Sequence, residues 1–357
     1  MPVQDIDKNL ATGDAAGGEE MAYYAIPDDR FALYGVFYDE RNARFMRLDG
    51  DVAAAVSEGV SRLAKYTAGG RLRFATDSAK LSLAVTYDGM WVMPHMALAG
   101  ANGFMLVEEN EDGSTGFFKM LPPNADQTRG YTLSVDLPAG KMRQYILYFP
   151  LYNRVSGLTI GLEKTARIGR GRAYKAVKPI LYYGSSITQG ACATRPDNCY
   201  EALIAKWNNV DFINLGFSGS AKGEDLMVDY LTGIDCSLFV CDYDHNAPNA
   251  AHLEATHWRL YERYRQARPD LPILFLSAPS GAFAKDASRK AVIRRTYLRA
   301  RRAGDQNVYF LDGARLFGTH DPENCTVDGT HPTDLGFYRM AEGIYKKLVS
   351  IDKVYAK

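Results

Sequence analysis

The sequence carries no net charge, because 42 Lys and Arg balance 42 Asp and Glu, so no global field attracts a polyanion or an anionic membrane. It also lacks a long apolar run: nothing approaches the roughly 20 residues that cross a bilayer. The opening stretch Met1 to Glu20 holds acids, Gly and Ala without the apolar core of a signal peptide. These absences predict a soluble, cytoplasmic protein whose partners are small molecules rather than nucleic acid or membrane. Cysteine is sparse. Cys192, Cys199, Cys236, Cys241 and Cys325 are an odd number without C-x-x-C spacing, which argues against a disulfide framework and a standard zinc site and for free, mostly buried thiols. Nucleotide signatures are missing too. There is no G-x-x-x-x-G-K-[ST], and Gly169-Arg170-Gly171 never completes a dinucleotide fingerprint.

What is present divides the 357 residues into two parts, as that length leads one to expect. Residues 1–22 read as a flexible tail. From 23 to 169 short alternating runs such as Leu81 to Tyr87 and Tyr131 to Leu137 are punctuated by Gly69-Gly70, Asp88-Gly89, Asp112-Gly113 and Ala139-Gly140, the pattern of an all-β sandwich. Only Val52 to Ala64 has a helical texture there. From 170 to 357 compact apolar runs (Ile180 to Tyr183, Asp211 to Leu215, Leu238 to Cys241, Ile273 to Ser277, Val308 to Leu311) alternate with helical patterns. Tyr200, Leu203, Ile204 and Trp207 recur at helical spacing, as do Leu226, Met227, Tyr230 and Leu231, and a last helix starts near Asp334. Five such strands with intervening helices predict a three-layer α/β/α sandwich around a parallel sheet, with ligands bound beyond the strands' carboxyl ends.

The residues that follow those strands carry the chemistry. Ile180 to Tyr183 runs into Gly184-Ser185-Ser186-Ile187-Thr188-Gln189-Gly190, which places Ser186 at a strand-to-helix turn where a hydroxyl is exposed and a helix N-terminus favours negative charge. A serine hydroxyl is a weak nucleophile until a base takes its proton, and that base needs a carboxylate to fix its tautomer. Asp328-Gly329-Thr330-His331-Pro332 supplies both from one short turn. Oxyanion donors are expected from the Ser186 backbone, from Gly219 after the second strand and from the Asn246 carboxamide after the third. The surroundings of Ser186 are not the G-x-S-x-G elbow, since Thr188 follows Ile187.

In order, Ser186, Gly219, Asn246 and His331, with Asp328 in support, match the four signature groups of the SGNH (GDSL-like) hydrolases. The strings YYGSSITQGA, FINLGFSGS, TAGGRLRF (Thr67 to Phe74) and YILYFPLYN (Tyr145 to Asn153) are similar to those of a branch with an N-terminal, jelly-roll-like β-sandwich. The chain departs from that pattern at Ser185 and Ala247, where the family has acids, and at Gly103 to Val107, which stands for Gly-x-Asp-Leu-Tyr. The resemblance implies an ester hydrolase needing no metal and no organic cofactor, acting through an acyl-enzyme on short acyl esters, often acetyl groups, of carbohydrates. It equally admits acyl transfer to a sugar or metabolite hydroxyl. A third reading is an inert carbohydrate-binding protein, which would have no chemical use for Ser186, Asp328 and His331 together.

Each signal has a plainer alternative. Ser186 could cap a helix, Asn246 close a turn, Gly219 supply only a positive φ, and His331 open a helix before Pro332. Their shared order favours catalysis. Trp91 and His95 are candidate substrate contacts, set against ordinary packing. Asp242, Asp244 and His245 beside Cys241 superficially suggest a metal, as do His320, Asp321 and Cys325, but neighbouring positions rarely converge on one ion. The basic run from Arg289 to Arg302 reads as a solvated helix face.

Overall fold

The computed structural model describes residues 20–279 and 287–357. The expected tail therefore lies, up to residue 19, outside the described residues, and its last positions are corrected: Met21 and Ala22 already belong to a strand. The chain forms two compact units. The first holds Lys65–Ala173 with the segment up to Arg47 and Thr194–Asp197; the second holds Leu48–Ala64, Tyr174–Ala193 and Asn198–Lys357. The division near residue 173 lies close to the boundary expected at 170, but Leu48–Ala64 clusters with the second unit although it falls inside the 23–169 span.

Among the described residues, twelve short strands build the first unit: β1 (Met21–Ala25), β2 (Ala32–Tyr34), β3 (Phe37–Asp39), β4 (Arg44–Met46), β5 (Arg71–Thr76), β6 (Lys80–Tyr87), β7 (Phe104–Glu109), β8 (Thr115–Leu121), β9 (Gly130–Asp136), β10 (Arg143–Tyr148), β11 (Val155–Glu163) and β12 (Ile168–Gly169). One antiparallel sheet has the order β1-β11-β6-β9, and another β12-β5-β10-β7-β8 with β2 also on β5. Period-2 alternation aims Leu81, Leu83 and Val85 of β6, and Leu72 and Phe74 of β5, into one core with Tyr145, Leu147 and Ile160. This is the predicted β-sandwich.

In chain order, α1 (Gly50–Val56) and α2 (Glu58–Leu63), both of the second unit, follow β4, and a short α3 (Leu98–Asn102) of the first unit follows β6. The helical texture at 52–64 is thus two helices because Ser57, with φ −172°, breaks the run and its hydroxyl accepts from Val60 N–H to start the second.

The second unit contains the five-stranded sheet: β13 (Ile180–Gly184), β14 (Phe212–Gly216), β15 (Leu238–Asp242), β16 (Ile273–Leu276) and β17 (Val308–Leu311). All its pairs are parallel, in the order β14-β13-β15-β16-β17. The connecting helices are α4 (Ser186–Gln189), α5 (Tyr200–Asn208), α6 (Asp225–Gly233), α7 (Ala250–Ala267), α8 (Ala287–Arg302) and α9 (Asp334–Ile351). Helix α5 packs on α9, where Trp207 meets Tyr338 and Tyr345 edge-on, while α6, α7 and α8 pack in a row. The chain leaves β13 in one direction to β14 and returns past it to β15, so the strand order reverses beside β13. At such a switch point the loops beyond the strand ends diverge and leave a crevice. The register sets Gly216, Gly184 and Asp242 abreast, which brings the three following loops together.

Candidate active site

Local forces fix the turn that carries Ser186. Ser185 takes an extended conformation and its hydroxyl accepts from Ile187 N–H at 3.2 Å, starting α4 as a short acid would in that place. The helix stops after one turn at Gly190, with φ +96°. Neighbouring loops hold the turn as well. Asn214 Nδ2 donates to Thr188 C=O at 2.5 Å, Ser218 N–H donates to Gln189 Oε1 at 3.0 Å, and Phe217 N–H donates to Gly184 C=O at 2.9 Å. Gly184 cannot carry a side chain, because a Cβ there would lie 1.9 Å from Asp242 Oδ1.

His331 arrives from the loop between β17 and α9. Val327 N–H donates to His331 C=O, and Thr326 and Pro332 form a bridge, so the segment folds back on itself. Thr333 then caps α9 by accepting from Gly336 N–H. Within this turn Asp328 receives His331 Nδ1 at 2.7 Å on one oxygen, and the backbone N–H groups of His331 at 2.8 Å and Thr330 at 3.0 Å on the other. With Nδ1–H committed to the carboxylate, Nε2 is left as the acceptor. Ser186 Oγ lies 2.9 Å from that Nε2. Serine, histidine and aspartate are thus in one hydrogen-bonded line, with Ser186 only 7% exposed.

Burial alone would raise the Asp328 carboxyl, but hydrogen bonds from the His331 side chain and backbone and from Thr330 outweigh it and hold the group at about 2. Asp328 is therefore an anion at neutral pH, able to orient imidazole and stabilise imidazolium. Cys192 shares the neighbourhood but is no rival nucleophile, since burial and then the charge of Asp328 push its thiol up to about 12. None of the five cysteines is in a disulfide, and all are buried.

Gly219 and Asn246 are brought together, in a way the sequence did not suggest. Gly219 N–H donates to Asn246 Oδ1 at 3.1 Å, and Asn246 Nδ2 donates to Phe217 C=O at 2.8 Å. These bonds fix which end of the carboxamide is which, and leave the amide one further N–H. Gly219 itself has φ +69° with open space where a Cβ would stand. Trp91 and His95 lie in the first unit, on the loop between β6 and α3. Both are exposed, Trp91 by 56%, so Trp91 is not a core residue.

The acidic cluster after β15 does not converge on a point. Asp242 Oδ1 faces Thr188 and Ser185, whereas Asp244 Oδ2 accepts from Ala278 N–H at 2.9 Å. His320 Nδ1 pairs with Asp321 at 2.9 Å, while Cys325 lies against Phe317 C=O. The basic helix α8 is largely engaged: Lys290 with Asp312, Arg295 with Glu254, Arg289 with the carbonyls of Asp244 and Pro248, and Arg299 stacked 3.6 Å from the Trp258 ring. The groups that sequence reasoning overlooked as parts of the site are Thr188, Gln189, Asn214 and Asp242. For Thr188, Gln189 and Asp242 the signal was position at or just after a strand's C-terminal end, which the alternation of strands and helices already marked, whereas Asn214 lies inside its strand and gave no such signal.

Known proteins share this fold. Residues 177–349 match the GDSL-like Lipase/Acylhydrolase family, and residues 21–168 match the N-terminus of SGNH-hydrolase-type esterases. No curated protein matches the chain in sequence. Among solved structures, one described as a GDSL-like lipase from Bacteroides ovatus is 27% identical, with a TM-score of 0.83 over 93% of this chain and 98% of its own. A salicylyl-acyltransferase from a tetracycline biosynthetic pathway is 20% identical, with a TM-score of 0.76 over 96% of this chain and 100% of its own. An acetyl xylan esterase from the rumen bacterium Butyrivibrio proteoclasticus is 13% identical, with a TM-score of 0.59 over 94% of this chain and 100% of its own. With its two stretches matched in turn, the chain joins a domain of the GDSL-like lipase/acylhydrolase family at residues 177–349 to the N-terminal domain of SGNH-hydrolase-type esterases at residues 21–168.

Proposed function

We propose that the protein hydrolyses short-chain esters, acetyl esters of a carbohydrate foremost, through an acyl-enzyme on Ser186. The observation that carries this reading is the 2.9 Å contact of Ser186 Oγ with His331 Nε2, continued by the 2.7 Å contact of Nδ1 with Asp328. Ser186 Oγ attacks the ester carbonyl as its proton passes to Nε2, and the carbonyl oxygen takes up the negative charge. The Ser186 N–H and the second N–H of Asn246 serve as oxyanion donors. Gly219 N–H, now on Asn246 Oδ1, holds that carboxamide and joins the donors as the loop adjusts. Imidazolium then protonates the departing alcohol oxygen, leaving the acyl group on Ser186. A water gives its proton to Nε2 as it attacks the acyl carbon, and the resulting intermediate collapses with that proton passing from Nε2 to Ser186 Oγ, which releases the acid and restores both serine and neutral imidazole.

A saccharide alcohol and an acetyl group are favoured by the fold shared with the acetyl xylan esterase, and exposed Trp91, with His95, enters the proposal as a saccharide contact. The equally extensive likeness to a salicylyl-acyltransferase favours a second reading, in which a sugar or metabolite hydroxyl replaces the deacylating water. Release of acetate from acetylated mono- and oligosaccharides, compared between the parent and Ser186→Ala, tests the proposal. Equal rates in the two proteins would end it. Mass spectrometry of products in the presence of acceptor alcohols separates the acid of hydrolysis from the ester of transfer.

A further inference from the structure

The catalytic line does not use the buried carboxyl of Asp242, which is shaped to act on the nucleophile turn. Asp242 is the last residue of β15, abreast of Gly184 at the end of β13. Its Oδ1 accepts the Thr188 hydroxyl at 2.6 Å and the Ser185 N–H at 3.3 Å, two groups that flank Ser186 in the same turn. The Tyr200 hydroxyl of α5 in turn donates to Thr188 Oγ1 at 3.3 Å, so a chain of bonds runs from helix α5 through the turn to the strand end. The absence of a Cβ at Gly184, which would otherwise meet both Asp242 Oδ1 and Thr188 Oγ1, is what allows this approach.

We propose that Asp242 is a positioning residue for Ser186, clamping the nucleophile turn from the neighbouring strand through Ser185 and Thr188. The inference rests on Ser186 being the nucleophile. Clamping at both flanks matters because a misplacement of about 1 Å at the attacking atom can cost on the order of 10²-fold in rate.

The clamp is an uncharged acid at neutral pH. Burial raises the carboxyl to about 8, against the opposing bonds from Thr188 and Ser185 and with help from the charge of Asp244. The other titratable groups that face it are Tyr200 and Glu201 from α5 and Cys241 on its own strand, all held toward their neutral forms by burial. No cation appears among them. When Asp242 does ionise, a buried negative charge stands one peptide away from the residue that must generate an oxyanion, and turnover falls.

Asparagine keeps the accepting oxygen and cannot ionise; alanine removes the clamp. On a chromogenic acetate ester, corrected for spontaneous hydrolysis, Asp242→Ala should lower kcat by about 10- to 100-fold with KM changed less than about threefold. The parent should lose activity above about pH 8, and Asp242→Asn should keep kcat within about threefold of the parent while abolishing that decline. Circular dichroism and thermal melts of each variant normalise the rates to folded protein. An Asp242→Ala enzyme with the parent kcat per folded molecule overturns the proposal, as does an alkaline decline that persists unchanged in Asp242→Asn. Ser186→Ala separates the two levels: if it abolishes turnover while the Asp242 variants behave as the parent, the positioning role alone fails, and if it retains turnover the nucleophile assignment fails with it.

Discussion

Replacing Asp328 by Asn keeps the size of the side chain and removes its charge, so it isolates what the carboxylate does for His331. In the transition state imidazolium stands beside this carboxylate, with Nδ1 and Oδ2 2.7 Å apart. Two unit charges centred about 4 Å apart at an effective dielectric of about 20 attract by about 4 kcal/mol. The Asp328 side chain is 39% exposed, so water screens part of this, and about 2 to 3 kcal/mol is the share expected to be lost. That corresponds to a fall in kcat of about 30- to 200-fold. An Asn that turns its N–H₂ toward Nδ1 would also select the wrong imidazole tautomer, which can carry the loss toward ~10⁴. The assay is steady-state hydrolysis of a chromogenic acetate ester by folded variant, with KM expected to stay near the parent value because the contact strengthens only as charge develops. A variant within about threefold of the parent kcat would refute the reasoning, since it would mean that His331 holds its tautomer without Asp328.

Other outcomes follow from the same coordinates. Asn246→Ala removes a carboxamide that holds both Gly219 and Phe217, and kcat in the same ester assay should fall by about 10²-fold or more. Gly216→Ala would set a Cβ 2.2 Å from Gln189 N, displacing the nucleophile turn; near-complete loss of turnover in a protein that still gives a folded circular dichroism spectrum is expected. Asp328, held at about 2 against an ordinary value of 3.8, contributes stability that is complete above pH 3.8 and fades as pH falls toward 2. Urea midpoints of the parent and Asp328→Asn should therefore converge across that window. In the first unit, Leu83→Ala empties a fully buried position of the sandwich core and should cost about 2 to 5 kcal/mol in chemical denaturation.

How much of this was legible in the residues depended on whether the deciding interaction was local. The five strands of the parallel sheet could be placed to within a residue at either end because each is a compact apolar run, and β17 falls at Val308–Leu311 as expected. The parallel architecture and the sandwich before it followed from the alternation of patterns. Helix α7 was not anticipated, because its sequence AAHLEATHWRLYERYRQA is largely polar and only Leu253, Leu260, Tyr261 and Tyr264 with their neighbours turn inward. The assignment of Leu48–Ala64 to the second unit was hidden for a different reason. Contacts such as those of α1 with α6 join positions some 180 residues apart, and nothing in a local pattern announces them.

At the site the distinction is the same. Ser186, Asp328 and His331 could be grouped from their order and their neighbours, and the fold sets them in one hydrogen-bonded line. Asp242 was visible as a residue, but its role was misdirected toward the cluster with Asp244 and His245, since sequence adjacency says nothing about which way a strand-end side chain turns. The mutual bonding of Gly219 and Asn246 likewise requires the loop after β14 to meet the loop after β15, a consequence of the strand order that only the fold supplies.

The account stands most directly on the nucleophilicity of one hydroxyl. Incubation of the folded protein with a fluorophosphonate, followed by peptide mass spectrometry, should find a single adduct on Ser186, strongly diminished in His331→Ala. Folded protein that takes no adduct, or takes it at another residue, would contradict the account.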